Sequence, residues 1–292
     1  MNRRQVEDVY RQVQEDFCSA VETVDGLSRF GADRWARDEG GGGLTRILAG
    51  EGPIEKAAVN FSAVEGETPG GLSDRLAADS DRFYATGVSI IVHPRNPHAA
   101  TFHANLRYFE TDETAWFGGG ADLTPFYLYE EDAEHFHATL AAVCAAHPVA
   151  DYDRWKRACD QYFHLPHRGE SRGVGGLFFD HLTDHLDEVF VFQNELGKAL
   201  ADAYVPILKR RVDMPYGERE IEWHEIRRGR YAEFNLVWDR GTRFGLDTSG
   251  RVESVLSSLP PRARWMYGHE PAEGTPEARL LEMVRGEPRS WV

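Results

Sequence analysis

The stretch ATFHANLRYFE, residues 100–110, decides the fold, because apolar and polar side chains alternate along it with the two-residue period of a strand. Phe102, Ala104, Leu106 and Tyr108 fall on one side, and Thr101, His103, Asn105 and Arg107 on the other. The apolar side calls for a covering layer. The other side suits an anionic ligand, since Arg grips a carboxylate with its fork, Asn adds a hydrogen bond and His exchanges a proton near neutral pH. A polar face that merely meets water fits the pattern at least as well.

Working outward, IEKAAVNFSAV (residues 54–64) and GVSIIVH (87–93) are short β-branched and aromatic runs that read as further strands. Ser89, Ile91 and His93 share one face of the second. Ser89 lacks the G-x-S-x-G elbow, so serine hydrolase chemistry has no support. Val6, Tyr10, Val13, Phe17 and Val21 keep helical spacing, as do residues 130–146, 151–165 and 187–211, where Pro206 is expected to kink or end the last helix. Residues 37–53 contain four consecutive glycines and read as a mobile loop. It is not a phosphate loop, because Leu44-Thr45-Arg46 follows instead of Lys and a hydroxyl residue. Residues 220–259, with IEWHEI and RYAEFNLVWD, read as strands again. Strands clustered at both ends and joined by short turns give an α+β fold with an antiparallel sheet. No linker or repeat divides the chain, so a single domain over residues 1–292 is expected.

Composition narrows the function. The 292 residues are 41% hydrophobic and 28% charged, the range of a globular protein. Thirty-three basic against 48 acidic side chains give a net charge of −15, the wrong sign for a nucleic-acid partner. Cys18, Cys144 and Cys159 have no C-x-x-C spacing, which points to a reducing compartment without disulfides or a thiolate zinc site. No apolar run reaches membrane-span length and no signal segment is visible, so a cytoplasmic location is expected.

Several other patterns carry chemistry. In WFGGGADLTP (116–125) the glycines would admit a flat ligand and Asp122 could accept its N–H groups, or the segment is a tight turn capped by Asp122. GVGGLFFD (173–180) shares that ambiguity. Twelve histidines are many for this length, but there is no H-E-x-x-H, and a histidine metal site stays open. His185-Leu186-Asp187 could begin a nonheme iron site, a weak signal. Basic clusters at residues 209–211 and 227–230 are either anion guides or ordinary helix ends.

The blocks SIIVHPRNPHAATFHANLRYFE, WFGGGADLTPFYLYEEDAEHFH, YFHLPHRGESRGVGGLFFDHL and GRYAEFNLVWDRGTRFGLDTSGRVESVLSSLPP closely resemble, in order, the signature blocks of oxygen-dependent coproporphyrinogen III oxidases, and GGGGLTRIL and EKAAVNFS resemble that family's N-terminal blocks. The resemblance implies a large flat antiparallel sheet flanked by helices on both faces, in a homodimer with residues 231–266 as its dimerisation region. It implies heme biosynthesis: two propionates of coproporphyrinogen III are oxidatively decarboxylated to vinyl groups, giving protoporphyrinogen IX, with dioxygen as co-substrate and no flavin, NAD or heme.

Residue by residue, the resemblance makes His103 the proton donor and Asp122 the partner of the pyrrole N–H groups. It makes Ser89, Asn105, Leu106 and Arg107 substrate contacts, together with Ser249, Gly250 and Arg251, where Ser249 replaces the family's first glycine. His93, His103, His137 and His167 match histidines proposed as ligands of a divalent metal, manganese or another. A nonheme iron oxygenase on His185 and Asp187, and a porphyrin carrier without turnover, are the competing readings.

Overall fold

The alternating stretch becomes the fifth strand of a seven-stranded antiparallel sheet. The computed structural model describes residues 1–67, 82–247 and 251–292. Strands β1 (Gly31–Ala36), β2 (Gly41–Ala49), β3 (Ile54–Glu67), β4 (Arg82–Pro94), β5 (Thr101–Thr111) and β6 (Ala115–Thr124) form a meander in which each pairs with the next. After a small hairpin of β7 (His164–Leu165) and β8 (Glu170–Ser171), β9 (Gly175–Leu182) completes the sheet beside β6.

The apolar face is covered by α1 (Arg3–Asp25) and α4 (Leu186–Arg211). Asn2 and Gln5 close a reciprocal capping box at the start of α1, which fixes where the chain enters the helix. Phe102 of β5 stacks between Phe17 of α1 at 5.4 Å and Tyr204 of α4 at 4.7 Å. Helix α2 (Glu130–Ala145) packs on α4, and α3 (Tyr152–Tyr162) packs on β9.

The polar face is roofed by α5 (Glu218–Glu233), a π-helical turn (Phe234–Trp238), α6 (Arg240–Asp247), α7 (Val252–Val255) and a 3-10 turn (Leu256–Ser258), before α8 (Pro276–Arg285) ends the helical set near β8. Tyr231 of α5 anchors this roof against Ala58 and Ile91 of the sheet. The α+β architecture with helices on both faces is therefore as expected.

Three local expectations are corrected. The described part of residues 220–259 is helical, with no strand: in α5, Trp223, Ile226, Arg227 and Tyr231 form one buried face at helical spacing, and the π-helical turn, α6, α7 and the 3-10 turn follow. That face was obscured because its charges are buried in ion pairs, Arg227 with Glu170 and Arg228 with Glu55, each at 2.6 Å. Most of the glycine-rich stretch is strand β2, where Gly43 lets the Trp35 ring lie on the backbone; a Cβ there would sit 2.4 Å from the indole. Helix α4 runs through Pro206 to Arg211. Proline leaves the carbonyl four residues back without its N–H partner, and that carbonyl, on Asp202, instead accepts from His135 Nε2 of α2 at 2.9 Å.

Candidate active site

The polar face of the sheet and its helical roof enclose a cavity of about 350 Å³. Antiparallel register aligns its floor in rows. Thr45, Asn60, Ser89, Asn105, Gly120 and Phe178 face one another across successive strands, and the next row sets His103 opposite Asp122. A further row sets Gly87 and Gly118 on either side of Arg107. Strand alternation thus carries Ser89, His103, Asn105 and Arg107 to one wall. Leu106 contributes its backbone to that wall, while its side chain is buried in the core beneath α1 and α4.

WFGGGAD is a strand, not a turn, so Gly118, Gly120 and Asp122 share the cavity side of β6. Arg107 reaches over Gly118 to Asp180 of β9 at 3.2 Å and donates to Asn105 Oδ1 at 3.3 Å, holding its fork half-exposed at the cavity. Arg37 and Arg251 also line the cavity, the latter paired with Asp33 of β1. Ser249 and Gly250, expected as substrate contacts, lie outside the described residues.

A buried ionic group closes one side of the cavity, with His103, Arg172 and Asn235 in its lining and Asp122 behind them. Asp122 Oδ1 meets His103 Nδ1 at 2.7 Å and Arg172 Nη2 at 2.7 Å, and Oδ2 meets Arg172 Nη2 at 2.8 Å and Nε at 3.2 Å. Arg172 Nη1 donates to Asn235 Oδ1 at 3.0 Å. Its guanidinium carbon lies 4.0 Å from the Phe163 ring, 4.5 Å from Tyr231 and 4.8 Å from Phe234. Burial alone would raise the Asp122 pKa, but the Arg172 charge and the His103 hydrogen bond outweigh it and hold the carboxyl below its ordinary value. Asp122 therefore stays a carboxylate.

The four histidines proposed for a metal do not fit one centre. His93 bonds Thr101 Oγ1 at 3.1 Å and the Ser258 carbonyl at 3.0 Å. His137 bonds the Tyr152 hydroxyl at 2.7 Å and the Val174 carbonyl at 3.1 Å. His167 is engaged by Glu233 and Trp238, and His103 by Asp122. Among the described residues no three His, Cys, Asp or Glu side chains converge as a metal site. His185 and Asp187 are exposed at the start of α4, away from the cavity wall. The basic clusters are structural: Arg210 and Arg211 hold Asp132, and Arg227 and Arg228 make the buried pairs above.

Sequence reading missed Arg172, Asp180 and Asn235. Arg172 follows the β7–β8 hairpin with no periodic pattern around it, Asp180 ended a segment left ambiguous, and Asn235 sits in a π-helical turn that no strand reading could orient.

A concave site floored by an antiparallel sheet, fringed with guanidinium groups and backed by an ionic His–Asp–Arg group, has the chemistry of a binding pocket suited to carboxylate groups. The chain belongs to the coproporphyrinogen III oxidase family, whose model matches residues 5–291. Membership gives the general activity, a coproporphyrinogen oxidase of porphyrin biosynthesis. No helix among the described residues is long and apolar enough to cross a membrane.

Proposed function

We propose that this chain is the oxygen-dependent form of the enzyme and converts two propionates of coproporphyrinogen III to vinyl groups. The observation that carries the reading is the shared cavity wall of Ser89, His103, Asn105 and Arg107, the residues on which the oxygen-dependent signature blocks centre. Each turn consumes one propionate carboxylate, one dioxygen and one proton. The carboxyl carbon leaves as carbon dioxide, the side-chain carbon attached to the pyrrole ring gives up a hydrogen with its electron pair, and those two electrons reduce dioxygen to hydrogen peroxide.

Arg107 binds a propionate, and Arg37 and Arg251 serve others of the four on the substrate. These local cations offset a protein of net charge −15. His103 moves the proton at a pyrrole nitrogen, which makes the macrocycle electron-rich enough for dioxygen. No step is routed through a metal, since the candidate histidines are each committed elsewhere.

A second copy of the chain completes the assembly. Within residues 231–266, Leu236, Val237, Trp238, Leu246, Val252, Trp265 and Met266 leave large apolar side chains exposed. Such a concentration fits an interface between copies, and sedimentation of Trp238→Glu, expected to shift toward monomer, tests it.

The enzymatic test is aerobic conversion of coproporphyrinogen III by metal-stripped protein, with vinyl products, carbon dioxide and oxygen uptake followed together. Product that appears with oxygen and without added metal is expected. Product without oxygen overturns the oxygen-dependent reading, tight porphyrin binding without product favours a carrier, and product only after manganese or iron is returned restores a metal role.

A further inference from the structure

His103 and Arg172 of the buried ionic group both line the cavity, which raises the question of which member meets the substrate. Asp122 is 2% exposed and is not among the cavity-lining residues. Both of its oxygens are occupied by Arg172, and one also by His103. A pyrrole N–H that reached it would have to displace one of these partners. His103, by contrast, lines the cavity with its side chain 19% exposed. Its Nδ1 is turned back to the carboxylate at 2.7 Å, a much closer partner than Arg172 Nη2 at 3.4 Å, which leaves Nε2 as the ring nitrogen available to a bound macrocycle.

Arg172 also lines the cavity, but its donors are already taken and leave it poorly suited to grip a propionate. One edge of its guanidinium holds Asp122, Nη1 is bound to Asn235, and the aromatic rings of Phe163, Tyr231 and Phe234 crowd its planar group. Such a cation is worth little as a ligand site but fixes a buried anion in place. The anion in turn selects the imidazole tautomer and ring orientation, as a carboxylate does for many general bases.

We propose that Arg172 is a positioning residue that acts through Asp122 on His103, and that His103 Nε2, not the Asp122 carboxylate, meets the substrate's pyrrole N–H. This rests on the cavity being the substrate site.

Nitrogen-15 spectra of histidine-labelled wild-type protein test the first half without turnover. The His103 Nδ1 is expected to carry a proton, and in Arg172→Lys the signal should shift toward a tautomer mixture. A wild-type His103 protonated on Nε2 alone overturns the proposal. Kinetics test the second half: Arg172→Ala should lower kcat by ~100-fold while the Kd of oxidised coproporphyrin III stays within about threefold, with partial recovery of kcat on adding guanidinium. Parallel loss of porphyrin affinity would make Arg172 a propionate ligand, and unchanged kcat would remove it from the reaction; either result overturns the idea. If Arg172→Ala does not fold, Arg172→Lys and Asp122→Asn give the same kcat-against-Kd comparison. Should wild-type protein fail to consume oxygen, the oxygen-dependent reading falls while the His103 spectra still decide this one.

Discussion

Arg107 on β5 and Asp180 on β9 join across the intervening strand, 3.2 Å apart, because Gly118 of β6 has no side chain between them. A Cβ at Gly118 would lie 2.7 Å from Arg107 Nε and 2.7 Å from Asp180 Oδ1. Gly118 is thus the gap through which the ion pair passes, and three strands cooperate to aim one guanidinium.

Replacing Arg107 by Ala should weaken substrate binding by ~10- to 100-fold, the worth of a charged hydrogen-bonded contact. Thermal stability should change little, because the pair with Asp180 is half-exposed and such pairs contribute under about 1 kcal/mol. Steady-state kinetics and a melting curve on the same sample check both; unchanged KM and kcat would remove Arg107 from the site.

Gly118→Ala displaces the ends of two side chains, the Arg107 guanidinium and the Asp180 carboxylate, not backbone. A rise in KM of roughly 3- to 10-fold is expected with the fold intact. Wild-type KM, or a collapse of the melting temperature, would contradict the role of this gap.

His135→Ala removes the donor to the Asp202 carbonyl that Pro206 leaves unmatched. A loss of about 1 kcal/mol in denaturant unfolding is expected, since a backbone acceptor then relies on water. Changing Pro206 to Ala in the same background should recover part of that loss, because the helix regains its own donor; no recovery would uncouple the two residues.

Stability should fall on mild acidification. Burial, reinforced by nearby cations, pushes the pKa of His93, His137 and His224 down from 6.5, His137 to about 3. Below pH 6.5 the unfolded chain takes up protons on these rings and the folded chain does not, so their contribution is complete above 6.5 and is lost as pH falls. The loss approaches ~1.4 kcal/mol per histidine per pH unit. Urea unfolding between pH 7 and 5 should show it, and His137→Gln should flatten the slope; a pH-independent midpoint over that range would contradict the burial argument.

The site was partly legible before folding. Alternation alone separated His103, Asn105 and Arg107 from Phe102, Ala104 and Leu106, and the structure keeps that partition, down to the burial of the Leu106 side chain. Helix α5 was misread because aromatic and charged residues mimicked strand composition, while its helical period was carried by arginines that only buried carboxylates make tolerable. Arg172 was invisible in its role, since nothing near it in sequence neutralises it.

What the sequence by itself determined is the set of elements whose period is local: the alternating strands β3 to β5, the amphipathic helix α1 and the division of β5 into a core face and a chemical face. These follow from bond geometry and from the cost of exposing apolar surface, which a short window of residues records. Tertiary structure alone decided which polar groups meet. His103 faces Asp122 through strand register, Arg172 reaches Asp122 from fifty positions away, and the candidate metal histidines part to separate hydrogen-bond partners. Charge pairing falls off with distance in space and not along the chain, so these meetings exist only once the sheet and its roof have closed.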